Sequence, residues 1–326
     1  MAVFIQGSNA NDLWRQARSC LDAKGASSTD TKELLHVMFE LEDPRQKWVS
    51  CRQPAMSIGF VLAELMWILK GDNRAEVIDF WNPSYSKYTA DPGSNVYHGA
   101  YGYRLAKNYG FDQLERAYNA LKNNPNNRQT VLLYWDPRID LPKEDGSRSS
   151  HDIPCNICSM LKLRDGVLDW TQVMRSNDIF MGLPYNLIQF TSLHEIMAGW
   201  LNAKLGKYVH YSDSLHLYER NYETSFDPDD DSINLDSLSV SKDTYHLLVD
   251  SIYDRMNTII HTKLTEEQLF NIAVLNSEHQ SYNNIMLIIG AYAANKLKYQ
   301  ELATKLVEMC TNKIYTQIWQ NYIKKG

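Results

Sequence analysis

Segments with helical periodicity alternate with segments of strand periodicity over the first two thirds of the chain. Residues 11–24 place Leu13, Ala17 and Leu21 on one face, as an amphipathic helix does. Residues 33–41 are apolar and partly alternating, which favours a strand. The patterns predict helices over 11–24, 57–69, 112–121 and 186–201. They predict strands over 33–41, 130–135, 157–163, 167–174 and 209–211.

Turn signals separate these segments. Arg164-Asp165-Gly166 stands between two predicted strands and has the composition of a hairpin turn. Clusters of Asn, Pro, Ser, Asp and Gly predict polar loops over 82–99, 137–152 and 226–240. The loop over 226–240 is acidic.

The pattern becomes mainly helical from Lys242 onward, and Thr265 with Gln268 has the spacing of a capping box. Strands and helices alternate irregularly before that point, which favours a mixed α+β fold over a regular doubly wound sheet. Because nothing marks a linker, we expect a single domain over 1–326 with a helical C-terminal part over 242–326.

Composition narrows the class of protein. The chain has 326 residues and a formal net charge of −6, so bulk binding to nucleic acid is disfavoured, although a local basic pocket is not. The longest apolar runs fall short of the ~18–20 residues that span a bilayer, and the first residues lack the features of a secretory signal. Five cysteines are too few for a disulfide scaffold. We therefore expect a cytoplasmic protein with reduced thiols that binds neither membranes nor nucleic acid.

Residue types used for nucleophilic catalysis and anion binding concentrate between residues 153 and 222. Further candidates lie upstream, where a single carboxylate interrupts an apolar helix. The upstream motifs are Glu64 in its helix, Gly99-Ala100-Tyr101-Gly102, and Arg128 after an Asn-Pro turn. The later motifs are Pro154-Cys155, Arg175-Ser176-Asn177-Asp178, Gly182-Leu183-Pro184-Tyr185-Asn186 and His216-Leu217-Tyr218.

Each motif alone has an ordinary structural interpretation. A lone Cys155 is more often a buried small hydrophobe, and Asn186 could simply cap the helix that it opens. Cys155 and Cys158 are three apart on a predicted strand and point to opposite faces, which disfavours a zinc or redox pair, so no metal site is expected. A cysteine hydrolase built from Cys155, His216 and Asn186 would leave Arg175 without a role.

Taken together and in this order, the motifs over roughly 60–222 resemble the thymidylate synthase family, including its nucleotide hydroxymethylase branch. The resemblance fades beyond about residue 225. It implies a mixed sheet covered by helices, with 1–225 as the catalytic core. It also implies an obligate homodimer that uses 5,10-methylenetetrahydrofolate as its one-carbon donor and a small nucleotide as its substrate.

The resemblance implies covalent catalysis on a pyrimidine ring. A thiolate that adds to C6 turns C5 into a nucleophile toward a one-carbon unit. Cys155 would be this thiolate, and Arg175 would favour its ionised form. Glu64 would move protons through ordered water, and Tyr101 would lie near the thiol and the base. Asp178 would present its backbone N–H to the base and organise the pocket.

The remaining motifs would bind the ligands. Asn186 would read the base, and an asparagine at this position favours uracil over cytosine. His216 and Tyr218 lie two apart on an extended segment and would both reach the sugar 3′-OH. The phosphate would be held by Arg175 and Ser176, with Asn177 in the same motif, and by Arg128 donated across the dimer interface. The folate would contact Asp178, Trp81 and Tyr85.

The chain departs from the synthase pattern at several positions. Gln129 replaces a second partner-donated arginine, and residues 26–30 lack the arginine of a phosphate loop. Asn156 follows the nucleophile where synthases have histidine. The C-terminal tail that closes on folate is absent. The tryptophan that shields the intermediate has no clear match, because its spacing falls near Tyr85 to Tyr88.

These departures bear on the type of reaction. Hydride transfer requires a closed, dry site, whereas hydration requires an admitted and positioned water. We therefore expect hydroxymethylation of dUMP at C5. The alternatives are thymidylate synthase activity, hydroxymethylation of dCMP or CMP, and an inactive protein that retains the nucleotide pocket.

Overall fold

The computed structural model describes residues 2–27, 29–89, 91, 93–227 and 232–324. Ser28 of the 26–30 segment, the side chain of Tyr88 and residues 228–231 of the acidic loop lie outside the described residues. The strands are β1 (Val3–Gly7), β2 (Ala26–Ser27), β3 (Thr31–Leu41), β4 (Val131–Leu133), β5 (Asn156–Arg164), β6 (Val167–Met174), β7 (Asn177–Asp178) and β8 (Lys204–Tyr218).

Helices surround the sheet and make up most of the C-terminal part. The helices are α1 (Ala10–Lys24), α2 (Ile58–Leu69), α3 (Ala75–Trp81), α4 (Ser86–Thr89), α5 (Tyr101–Ala106), α6 (Gln113–Asn123), α7 (Pro137–Asp140), α8 (Leu183–Trp200), α9 (Lys242–His261), α10 (Glu266–Ala273), α11 (Gln280–Lys296), α12 (Gln300–Met309) and α13 (Lys313–Ile323). None of these described helices is both long enough and apolar enough to cross a membrane.

The strands of the described residues form one mixed sheet in the order β1-β3-β8-β6-β5-β4, with β2 beside β3 and β7 beside β8. The central strand β8 is antiparallel to β3 and parallel to β6. The predicted α+β class and helical C-terminal part are therefore confirmed, as are the hairpin of β5 with β6 and the capping box at Thr265. The single-domain organisation stays a prediction.

Three sequence predictions need correction. The strand predicted over 209–211 is part of the 15-residue β8, whose polar residues between Tyr211 and Leu215 break the apolar alternation. The predicted loops over 82–99 and 137–152 contain the short helices α4 and α7.

The inward face of β3 reverses at His36, which has a φ of 58°. Leu34 is buried before it, whereas Val37 and Phe39 are buried after it. A left-handed residue breaks the two-residue alternation of a strand, so the odd-numbered side chains become the inward ones. The neighbouring strand β8 changes in the same region, with Ser212 buried before the change and Leu215 after it. His216 and Tyr218 consequently remain partly exposed.

Helix α2 lies at the centre of the helical layers. Every residue from Ile58 to Ile68 in α2 is buried, and helices α8, α9, α11 and α13 all pack against it. The contact with α11 is close because a Cβ on Gly59 would lie 2.4 Å from the Cβ of Tyr292. The C-terminal helices therefore cover the helix that carries Glu64.

Candidate active site

Cys155 directly precedes β5, and the hairpin register brings it beside Arg175 at the end of β6. The Arg175 N–H donates to the Cys155 carbonyl at 2.9 Å. The guanidinium donates from Nε to the Pro154 carbonyl and from Nη2 to the Ile153 carbonyl, both at 3.0 Å. Nη2 also lies 3.9 Å from Cys155 Sγ. Arg175 thus lies next to the thiol and also fixes, by hydrogen bonds to its backbone, the segment that carries the thiol.

The ionisation of Cys155 is governed by opposing effects. Burial raises the pKa of the Cys155 thiol above its ordinary value, and Arg175 lowers it. The carboxylates of Asp152 and Asp178 raise the pKa further. The predicted influence of Arg175 is therefore present, but it offsets the desolvation of the thiol rather than outweighing it.

A chain of side-chain hydrogen bonds connects Glu64 on α2 with Asn186 on α8. Gln189 Nε2 donates to Glu64 Oε2 at 2.8 Å, and Gln189 Oε1 accepts from Asn186 Nδ2 at 3.1 Å. Asn186 and Gln189 are three apart on α8 and so share its face toward α2. Burial raises the pKa of Glu64 to about 7, although the bond from Gln189 lowers it. The sequence analysis found Glu64 and Asn186 but missed Gln189, whose i+3 spacing from Asn186 was the available signal.

Asn156 has a fixed orientation next to Cys155. Its Oδ1 accepts from Gln172 Nε2 at 2.8 Å, and Gln172 Oε1 in turn accepts from Ser159 Oγ at 2.6 Å. Asn156 is fully buried, and its Nδ2 has no hydrogen-bond partner in the described part of the chain. Gln172 therefore fixes the Asn156 side chain through its oxygen, while the buried Asn156 nitrogen stays without a partner among the described residues.

The predicted sugar-binding pair lies at the end of β8. The rings of His216 and Tyr218 are 5.2 Å apart and perpendicular. Strand β7 pairs with β8 here, so that Asp178 is in register with His216. Asp178 Oδ1 accepts from the Phe180 N–H at 2.7 Å, and its charge raises the pKa values of Cys155 and Tyr218. The structure thus brings Asp178, His216 and Tyr218 to the side of the thiol.

Other predicted residues stand apart from this group. Asn177 is buried, and its Nδ2 lies 2.8 Å from His210 Nε2 in the interior. Ser176 is half-buried beside Arg175. Arg128 is exposed between α6 and β4 and makes no hydrogen bond or ion pair with the described residues. Its predicted role requires a second subunit.

The two aromatic residues predicted to contact folate differ in position. Trp81 is fully buried, with its ring 4.8 Å from that of Phe80 and 5.8 Å from that of Tyr292. As placed, Trp81 offers no exposed ring face to a ligand. The ring of Tyr85 instead lies 6.0 Å from that of Phe60. Burial raises the pKa of Tyr85, and the charge of Glu64 raises it further. Tyr85 therefore lies near the proposed chemistry.

A further carboxylate that the sequence motifs did not indicate, Asp152, lies three residues before Cys155. Its Oδ2 accepts from the Gly99 N–H at 2.7 Å. Burial raises the pKa of Asp152 to about 6. A Cβ on Gly99 would lie 2.8 Å from Asp152 Oδ1, so the close approach depends on this glycine. The position of Asp152 within a loop expected to be polar concealed it.

Neither a metal cluster nor a disulfide accompanies these residues. All five cysteines are free. Among the residues that the structure describes, no group of three or more His, Cys, Asp or Glu side chains is arranged to hold a metal ion.

Comparison with known proteins adds to this geometry. A family model described as thymidylate synthase matches residues 15–228. A deoxyuridylate hydroxymethyltransferase of Bacillus phage SP01 is 32% identical over 202 residues, covering 59% of this chain and 51% of that protein. A second protein of that name, from Pseudomonas phage M6, is 35% identical over 162 residues, covering 49% and 44%. A thymidylate synthase of Staphylococcus haemolyticus is 26% identical over 248 residues, covering 55% and 74%. The chain spans about half the length of the two phage relatives.

Proposed function

The chain belongs to the thymidylate synthase family, and from its site we propose that it hydroxymethylates C5 of a pyrimidine nucleoside monophosphate, preferably dUMP. The observation that carries this proposal is the chain of hydrogen bonds from Glu64 to Asn186, together with Tyr101, a partly buried residue on whose pKa both Cys155 and Glu64 act. A nucleophile, a buried acid and a base-reading amide are the groups that C5 chemistry requires.

Each of these residues has a defined task in the proposal. The Cys155 thiolate attacks C6 of the uracil ring, which makes C5 nucleophilic. Glu64 transfers protons through bound water at the base. Asn186 donates to O4 from its Nδ2 and accepts from N3–H with its Oδ1. Arg175 and Ser176 hold the phosphate, and His216 with Tyr218 hold the sugar 3′-OH.

5,10-Methylenetetrahydrofolate supplies the one-carbon unit at the oxidation level of formaldehyde. The residues present fit such a co-substrate, because Phe60, Tyr85 and Tyr185 form an aromatic cluster next to Glu64. Aromatic faces suit a flat heterocycle. Asp178, with its fixed carboxylate, would hold polar groups of the folate ring.

Hydroxymethylation is favoured over reductive methylation by two features. The phage relatives named deoxyuridylate hydroxymethyltransferase match 202 and 162 residues at 32% and 35% identity, whereas a relative named putative thymidylate synthase reaches a comparable 33% over only 123 residues. The site also carries buried polar groups beside the thiol, Asn156 and Asp152, which suit a positioned water rather than a dry hydride-transfer site. Thymidylate synthase activity is the second candidate, on the similarity to named synthases.

We also infer a homodimer that acts in the cytoplasm, without nucleic acid or membrane as a partner. Apolar side chains are exposed on β3 and β4, with exposed fractions of 51% for Leu35, 40% for Met38, 44% for Val131 and 43% for Leu133. Burying these side chains against a second sheet would stabilise a dimer. Arg128 lies just before β4, where such a dimer would carry it to the partner's phosphate site.

The test is the product formed from dUMP and 5,10-methylenetetrahydrofolate. Gain of CH2O without the absorbance of dihydrofolate near 340 nm supports the proposal, whereas gain of CH2 with stoichiometric dihydrofolate overturns it. Tritium release from C5 of dUMP, dCMP and CMP identifies the base, and release from cytosine nucleotides alone would refute the choice of uracil. Cys155→Ala should abolish turnover and retain nucleotide binding, while the matched variant Cys158→Ala should remain active.

A further inference from the structure

Asp152 is a carboxylate of the active site to which none of the steps above gives a task. It lies in the segment that leads into Cys155, and it is held by one backbone hydrogen bond from Gly99 to Oδ2. Its other oxygen, Oδ1, has no hydrogen-bond partner in the described part of the chain. A half-buried carboxylate with one oxygen engaged and one free can accept a proton from a bound water.

The surroundings place Asp152 at the reacting centre. Asp152 is three residues before Cys155, and its partner Gly99 is two residues before Tyr101. Burial is the main cause of the raised pKa values of Cys155, Tyr85 and Tyr101, and the charge of Asp152 raises all three further. Glu64 influences the same two tyrosines. The tyrosines therefore adjoin both carboxylates, and Asp152 is the one that also influences the thiol.

The charged groups around Asp152 leave it able to exchange a proton near neutral pH. His98 and Arg104 lower its pKa, Asp91 raises it, and burial is the largest effect. Arg104 is already engaged, because both of its terminal nitrogens donate to Asp140 at 2.9 Å. The resulting pKa of about 6 lies close to the pH at which a general base is most effective.

We propose that Asp152 is the general base that activates the water in the hydroxymethylation step. This inference rests on the proposed function. The water oxygen bonds to the exocyclic methylene carbon of the nucleotide while Asp152 Oδ1 takes a water proton. The methylene π electrons move into the ring to form the enolate of C4. Collapse of the enolate restores the C5–C6 double bond and expels the Cys155 thiolate. No oxidant or reductant is needed.

A purely structural role for Asp152 makes a different prediction. The hydrogen bond from Gly99 could simply anchor the segment before Cys155 to the turn that precedes Tyr101. Asp152→Asn separates the two roles, because an amide oxygen still accepts from the Gly99 N–H but an amide does not act as a base at neutral pH. Asp152→Leu removes both the anchor and the base. Asp145→Asn, in an exposed part of the same loop, is the matched control.

The experiment uses the full-length protein with dUMP tritiated at C5 and 5,10-methylenetetrahydrofolate. Tritium release reports the steps before water addition, and product mass reports water addition itself. For Asp152→Asn we expect first-turnover tritium release within about threefold of wild type and a loss of hydroxymethylated product of about 10²-fold or more. A small thiol in the buffer should trap the intermediate of this variant as a thioether, because a thiol is a better nucleophile than water and does not need the base.

Two results would overturn the inference. Hydroxymethylation by Asp152→Asn within threefold of wild type would show that Asp152 is not the base. A loss of tritium release as large as the loss of product would show that it acts earlier or only positions Cys155. Failure of the proposed function is detected separately, because wild-type protein would then release dihydrofolate and form dTMP before any variant is compared.

Discussion

Glu64→Gln should make the protein more stable at alkaline pH even though it removes the proposed proton-transfer group. Burial raises the pKa of Glu64 from 4.5 to about 7. A carboxyl group with a raised pKa in the folded state binds its proton more tightly there than in the unfolded chain. Stability is therefore full below pH 4.5 and decreases as the pH rises toward 7. Glutamine keeps the bond from Gln189 and carries no charge.

The size of the effect follows from the same two values. One pKa unit corresponds to about 1.4 kcal/mol, so ionised Glu64 lowers the free energy of unfolding by about 3 kcal/mol at pH 8. At pH 5 the loss is below about 1 kcal/mol. Urea unfolding of wild type and Glu64→Gln at pH 5 and pH 8 measures the difference. Equal stabilities at pH 8 would refute the view that burial, rather than a counter-charge, controls Glu64.

Glu195 on α8 provides a matched control with the opposite outcome. Glu195 is as buried as Glu64, but its Oε2 lies 2.8 Å from the Nζ of buried Lys47, and its Oε1 accepts from Ser237 at 2.8 Å. Glu195→Gln leaves a buried ammonium without its counter-charge, which costs about 3–5 kcal/mol. A stabilising Glu195→Gln would contradict this assignment of the pair.

Three further predictions concern specificity and assembly. Gln189→Met removes the hydrogen bond that orients Asn186. The preference in kcat/KM for dUMP over dCMP should therefore fall about 10-fold, which is the equivalent of one lost hydrogen bond. An unchanged ratio would contradict the role of Gln189. Met38→Asp places a charge on the exposed apolar sheet face and should give a monomer in sedimentation analysis without activity. Mixing inactive Arg128→Ala with inactive Cys155→Ala should restore activity in hybrid dimers, and no recovery would refute the donation of Arg128.

The sequence predicted the elements that rest on local periodicity. Helices α2 and α8 were expected because their apolar runs are long and end at clear signals. The length of strand β8 was underestimated, because Ser212, Asp213 and Ser214 interrupt its apolar alternation. The full strand is defined by its pairing with neighbouring strands and not by its own sequence pattern. The reversal of faces at His36 is likewise a property of the paired strands.

The same limit applies to the site. Cys155, Glu64 and Asn186 were recognisable from motifs, because each belongs to a local pattern. Gln189 and Asp152 were not, because their partners Glu64 and Gly99 are distant in sequence. The sign of the Cys155 pKa shift could not be read from the nearby arginine either. It depends on the sum of burial and the charges of Asp152 and Asp178.

Burial has one consequence that links the acids of this site. It raises the pKa values of Cys155, Glu64 and Asp152, so near neutral pH the thiol stays protonated and Glu64 is partly protonated, whereas Asp152, with a pKa of about 6, is largely ionised. The same burial that delays ionisation of the thiol keeps both carboxyl groups able to exchange protons. Under the proposed mechanism the two carboxyl groups have different roles because their contacts differ. Glu64 is linked to the base-reading Asn186 and transfers protons at the base, whereas Asp152 adjoins the thiol and activates the water.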